Sequence, residues 1–93
     1  MRGQSAMAMV QIPLMLAEHT GGQRRIKVAG GTLGEIIGQL EQQFPGLAGQ
    51  IHQGGKIRPT LVVTVDGQLA AQGLDTPIQP TSEVCFLPFL GGG

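Results

Sequence analysis

One stretch restricts the fold of this chain more than any other. Between Thr32 and Gly46, Leu33, Ile36, Ile37, Leu40 and Phe44 recur at helical spacing, while Gln39, Glu41, Gln42 and Gln43 fill the opposite side. Thr32-Leu33-Gly34-Glu35 is a capping-box pattern: the threonine oxygen can accept the N3 backbone N–H while the glutamate reaches back. Pro45-Gly46 ends the helix, because proline cannot continue the hydrogen-bond ladder. A helix with one apolar stripe must bury it against a sheet or another helix. The rest of the chain supplies strands.

Val10, Ile12, Leu14 and Leu16 alternate with Gln11, Pro13, Met15 and Ala17, which predicts a strand with one apolar face. Pro13 has no N–H to give a ladder, so a bulge or a missing bond is expected there. Glu18 to Gly22 is a turn. Gln23 to Ala29 returns with Ile26 and Val28 on one side and Arg25 and Lys27 on the other, completing a hairpin. Beyond the helix, Leu47 and Ile51 can anchor a short turn, and the polar, glycine-rich residues 50–56 belong to a long surface loop. Leu61 to Val65 is a continuous β-branched run of the kind covered on both faces or nearly so. Asp66-Gly67 is a two-residue hairpin turn, and Gln68 to Ala71 a short return. Leu74, Pro77 and Ile78 cover the open end of the core. The last strand is Glu83 to Pro88, with Val84 and Phe86 inward and Cys85 and Leu87 on the other face. The order β-β-α-β-β-β defines an α+β fold, the β-grasp or ubiquitin-like arrangement. It has a mixed sheet of four or five strands, with one main helix packed on one face. The expected organisation is a flexible lead-in over 1–7, a domain over 8–90 and a glycine tail over 91–93.

The tail carries the functional signal. Phe86-Leu87-Pro88-Phe89-Leu90 runs straight into Gly91-Gly92-Gly93. Glycine has no Cβ, so such a segment can thread a channel too narrow for any other residue. Leu87, Pro88, Phe89 and Leu90 are too apolar for an idle solvated tail, and they are the candidate docking residues. Six basic and six acidic residues cancel, and three phenylalanines are the only aromatics, so neither nucleic acid nor an anionic membrane is an expected partner. The lone Cys85 fits a reducing, cytoplasmic setting and a small, buried or half-buried apolar role in place of a reactive thiol. No apolar run approaches a membrane span, and the first residues lack the apolar core of a signal peptide. His19 and His52 lie in separate turns without companions, so no metal site is expected. The glycine pairs lack a phosphate-binding context. Arg24, Arg25 and Lys27 form a solvated strand face that could also steer an acidic partner.

With its β-β-α-β-β-β order, Thr32-Leu33 at the helix start, Leu87-Pro88 and a terminal Gly92-Gly93, the chain resembles the ThiS/MoaD family of sulfur-carrier proteins. The resemblance covers residues 8–93. His19-Thr20-Gly21-Gly22 and the loop over 50–59 look most like the carrier of thiocarboxylate-dependent cysteine synthesis. The resemblance implies that an E1-like enzyme adenylates Gly93 with ATP and Mg²⁺. A sulfur donor, a cysteine desulfurase or a rhodanese-like protein, then converts it to a thiocarboxylate for a recipient biosynthetic enzyme. Gly91 and Gly92 would be the threading residues, and the chain would be a carrier without catalytic residues or a permanent cofactor. Two departures stand out: a third glycine, Gly91, and Pro80-Thr81-Ser82-Glu83 where the family commonly has an acidic-glycine turn. The alternatives are a protein modifier joined to lysines through Gly93, a small subunit of a molybdopterin synthase, and an interaction domain with an idle tail.

Ordering three glycines costs roughly 3–6 kcal/mol, and burying Phe89 and Leu90 returns roughly 3–6 kcal/mol. The tail therefore gains little by itself, and net affinity must come from the exposed sheet face around Leu87 and Cys85. Gly92→Ala is expected to impair activation of the terminus while leaving the thermal midpoint unchanged. An adenylation assay beside a melting curve checks both halves.

Overall fold

The computed structural model describes residues 7–89, so Leu90, Gly91, Gly92 and Gly93, and most of the lead-in, lie outside the described residues. Strand β1 (Ala8–Gln11) pairs antiparallel with β2 (Arg25–Val28), giving the expected hairpin. Helix α1 (Leu33–Gln43) follows, then a small separate hairpin of β3 (His52–Gln53) and β4 (Lys56–Ile57). Strand β5 (Leu61–Val65) turns into β6 (Gln68–Leu69), and β7 (Glu83–Pro88) ends the described chain. The main sheet has five strands in the order β2-β1-β7-β5-β6. The last strand is thus the central one, parallel to β1 and antiparallel to β5.

Burial explains the arrangement. Leu33, Ile36, Ile37 and Leu40 of α1 have no exposed surface, and neither do Val10, Val84 and Phe86 from the sheet beneath them. The helix starts as the capping pattern requires: Glu35 N–H donates to Thr32 Oγ1 at 3.2 Å. The return bond lands one residue earlier than the motif's usual form, Gly31 N–H donating to Glu35 Oε1 at 2.7 Å. Phe44 caps the other end, half-buried against the core.

Three expectations are corrected. The first strand stops at Gln11, and Leu14–Thr20 is a 3-10 helix. Pro13 causes the change: its ring fixes φ near −68°, and its carbonyl starts the helix by accepting from Leu16 N–H at 2.9 Å. Leu16, Ala17 and Thr20 face inward, while Leu14 is 73% exposed. Gly21, at φ 64°, ends the helix in the left-handed region that glycine adopts without strain. Second, the loop over 50–59 is anchored from beneath by Leu47 and Ile51, both fully buried, and contains the β3–β4 hairpin. Third, β5 is covered on one face only: Leu61 and Val63 are buried, and Val62 and Thr64 are half-exposed on the other. At the open end Ile78 is buried and Leu74 packs against the core, as expected, whereas Pro77 is exposed.

The β5–β6 turn carries a second duty. Asp66, at φ 52°, accepts from Glu83 N–H and from the Ser82 hydroxyl, each at 2.8 Å. Ser82 Oγ in turn accepts from Gln79 N–H at 3.0 Å. These bonds clamp the hairpin tip to the first residue of β7. The Glu83 N–H, then the Ser82 hydroxyl, hold the Asp66 carboxyl below the usual carboxylate range. Its folded-state value being lowered, Asp66 contributes stability above the ordinary carboxylate range, and the contribution is lost as pH falls through the lowered value. Asp66→Asn, which tolerates the same backbone, is expected to lower the melting temperature at neutral pH and to flatten this part of the acid dependence. Melting curves at neutral and acid pH measure both effects.

Candidate functional site

β7 determines what the chain presents. Its Val84 and Phe86 are locked into the core, so Cys85 and Leu87 point to the face the helix leaves open. The register sets their neighbours: Cys85 lies opposite Thr64 and Gln11, Leu87 opposite Val62, and Gln11 opposite Arg25. Thr64 in turn faces Leu69 on the edge strand, 70% exposed. The open face therefore grades from cationic at β2, with Arg25 and Lys27 exposed, through Gln11 and Glu83, to apolar at Leu87, Val62 and Leu69. Gln11 Nε2 donates to Glu83 Oε2 at 3.1 Å across the middle.

The ladder continues one residue past β7. Phe89 N–H donates to the Thr60 carbonyl at 2.9 Å, while the Phe89 side chain is 58% exposed and Leu87 46%. The main chain is thus held to its neighbour as far as Phe89, with the Leu87 and Phe89 side chains turned out. Of the docking residues expected from the sequence, Leu87, Pro88 and Phe89 sit together and exposed; Leu90 and the Gly91–Gly93 tail lie outside the described residues.

Sequence reasoning missed Leu14 and Met15, which it put on a strand, and did not join Arg24 to them. In the structure, Pro13, Leu14, Met15, Arg24, Leu87 and Pro88 line one open groove of about 470 Å³ beside the end of β7. The available signal was Leu16, Ala17 and Thr20, whose spacing after a proline fits a helical turn better than a strand.

Other titratable groups are dispersed. His52 Nε2 of the small hairpin lies 3.1 Å from Glu41 Oε2 of α1, and His19 Nε2 lies 3.7 Å from Glu18 Oε2. Among the described residues no three His, Cys, Asp or Glu side chains gather as a metal set. Cys85 is half-buried, as its type suggested. No helix among the described residues is long and apolar enough to cross a membrane.

Among the described residues, one α-helix on a five-stranded mixed sheet, with β7 in the middle and its end exposed, makes a ubiquitin-like β-grasp protein. The ThiS family pattern matches residues 10–93, and the chain belongs to the ThiS family. It is 33% identical over 89 residues to the sulfur carrier protein CysO of Mycobacterium tuberculosis and of Mycobacterium bovis, covering 90% of this chain and 96% of theirs. The fold superposes on crystallised M. tuberculosis CysO with a TM-score of 0.84 at 31% identity, over 89% of this chain and 99% of that one. For the Amycolatopsis orientalis BexX/CysO complex the TM-score is 0.85 at 27% identity, over 92% and 99%.

Phe89→Ala is expected to shift stability by no more than about 0.5 kcal/mol, as surface changes do, while weakening partner binding several-fold. Denaturant unfolding beside a binding titration checks it; equal losses in both would contradict an exposed docking segment.

Proposed function

We propose that this chain is a sulfur carrier whose working group is the carboxyl of Gly93. The observation that carries the reading is the path of β7, the central strand of the sheet. It delivers the main chain, still hydrogen-bonded at Phe89, to the four residues Leu90-Gly91-Gly92-Gly93. The kinship with CysO proteins, named as sulfur carriers, supports it.

The chemistry follows from what a carboxylate lacks. At neutral pH it is a poor electrophile, because attack on its carbon would have to expel oxide. Transfer of the adenylyl group of ATP, with release of pyrophosphate, makes an acyl-adenylate with a good leaving group. The outer sulfur of a persulfide on the donor then attacks the acyl-adenylate and displaces AMP, and a second thiol cleaves the resulting acyl disulfide, releasing the thiocarboxylate and leaving a disulfide on the donor. The sulfur travels covalently bound, so it does not escape as free sulfide. ATP and Mg²⁺ belong to the E1-like activating enzyme, and the sulfur donor is a cysteine desulfurase or a rhodanese-like protein. This chain contributes the terminus, its slender approach through Gly91 and Gly92, and the surface by which partners hold it. Sulfur carriers of this kind are in general not catalysts. That a CysO relative is found in complex with a second protein, BexX, supports docking as part of the role. The recipient that the features at 19–22 and 50–59 favour is an enzyme of cysteine synthesis, working in the cytoplasm.

Mass spectrometry of the native C-terminal peptide from cells tests the reading. The expected result is replacement of one oxygen by sulfur at Gly93, lost when the activating enzyme is deleted. An unmodified terminus under sulfur demand, or Gly93 found in amide linkage to lysines, would overturn it.

A further inference from the structure

Three of the large apolar side chains exposed among the described residues, Leu14 at 73%, Met15 at 49% and Leu87 at 46%, meet in a single groove. Apolar surface gathered in a concavity marks an interaction site more strongly than the same residues scattered. The groove also has one charge. Arg24 forms part of its lining, and none of the six lining residues is acidic. Arg24 is held in place: its Nε–H donates to the Ile12 carbonyl at 3.1 Å, and Ile12 N–H donates to the Arg24 carbonyl at 2.8 Å. The close contacts between a basic side chain and a carboxylate among the described residues are His19 with Glu18 and His52 with Glu41, and neither involves Arg24. A guanidinium fixed through Nε keeps its terminal N–H groups for an incoming acceptor. Covering it with a purely apolar partner would strip its water without replacement.

We propose that this groove seats an extended segment of a partner protein in which an apolar side chain stands beside a carboxylate. The apolar side chain lies among Leu14, Met15 and Leu87, and the carboxylate pairs with Arg24. Arg25 and Lys27, exposed on the same strand region, add attraction for an acidic approach. The inference deepens the carrier reading and rests on it for the partner's identity: the groove adjoins the end of β7, so a protein that takes the tail meets it. Leu14 and Arg24 then act as the specificity-determining contacts, separate from the threading glycines.

The test titrates the isotope-labelled full chain with a capped peptide containing a central Leu-Glu pair, and with Leu-Gln and Ser-Glu versions of it. The expected result is saturable NMR shifts confined to Leu14, Met15, Arg24 and Leu87. Binding should be about three- to tenfold weaker for the Leu-Gln peptide or for Arg24→Gln, the range for a charge-assisted bond at a part-exposed site. Leu14→Ser, at a position too exposed to affect folding, should weaken binding as well. No binding, shifts elsewhere, or equal binding of the Leu-Gln peptide would overturn the proposal. So would movement of the Leu14, Met15 and Arg24 signals in the free protein when residues 90–93 are deleted, which would give the groove to the chain's own tail. Shifts that grow with protein concentration alone would give it to a second copy, and would overturn the proposal equally. A parallel ATP–pyrophosphate exchange assay with the E1-like enzyme keeps the two ideas apart. Lack of exchange by the wild-type chain, with peptide binding intact, sinks the carrier reading and leaves the groove.

Discussion

The structure depends on the burial of two side chains in its last strand. Val84 and Phe86 have no exposed surface, and the main chain around them pairs with β1 on one side and β5 on the other. Neither partner is near in sequence, so this strand joins the two halves of the chain, with α1 laid across them. The alternation of a strand then fixes everything useful: with Val84 and Phe86 inward, Cys85 and Leu87 must face out. The described chain ends one residue beyond this well-anchored strand.

That anchoring resolves a conflict built into a carrier. A terminus that enters other proteins' clefts has to be slender, and glycine makes it so at the cost of order. Affinity has to be supplied by something that is already ordered. Here the open sheet face and the groove beside Pro88 provide preformed apolar surface. The Asp66 clamp belongs to the same design. By holding the β5–β6 tip to Glu83, it fixes where β7 begins, and so where Leu87 and Phe89 end up.

Much of this was legible in the sequence where the signal is local. Thr32 and Glu35 announced the helix start, the stripe from Leu33 to Leu40 announced its buried face, and Glu83 to Pro88 showed which residues of β7 face inward. Asp66-Gly67 marked its turn for a similar reason, since few other pairs accept positive φ at both positions. What failed was decided by tertiary packing. Leu14 and Leu16 continue an alternating pattern on paper, but Pro13 breaks the ladder, and the next residues wind into a 3-10 helix that turns Leu14 out. Residues 50–59 look polar and loose because the side chains that hold them, Leu47 and Ile51, lie at or before the start of the stretch. The groove was invisible for a related cause: Arg24, Leu14 and Leu87 meet only once β7 lies beside β1, a pairing between distant parts of the chain. The sequence put Leu87, Pro88 and Phe89 forward as docking candidates because of their apolar character, and the structure finds all three exposed.

The central claim is that the core holds β7 rigidly up to the point where the working end begins. Native-state hydrogen exchange, followed residue by residue across a range of low denaturant, tests it most directly. The account predicts that the Val84 and Phe86 amides exchange only through global unfolding, while the Phe89 amide, the last one bonded among the described residues, opens locally at lower free energy. Exchange of Val84 and Phe86 through a local opening, with the rest of the sheet intact, would contradict it.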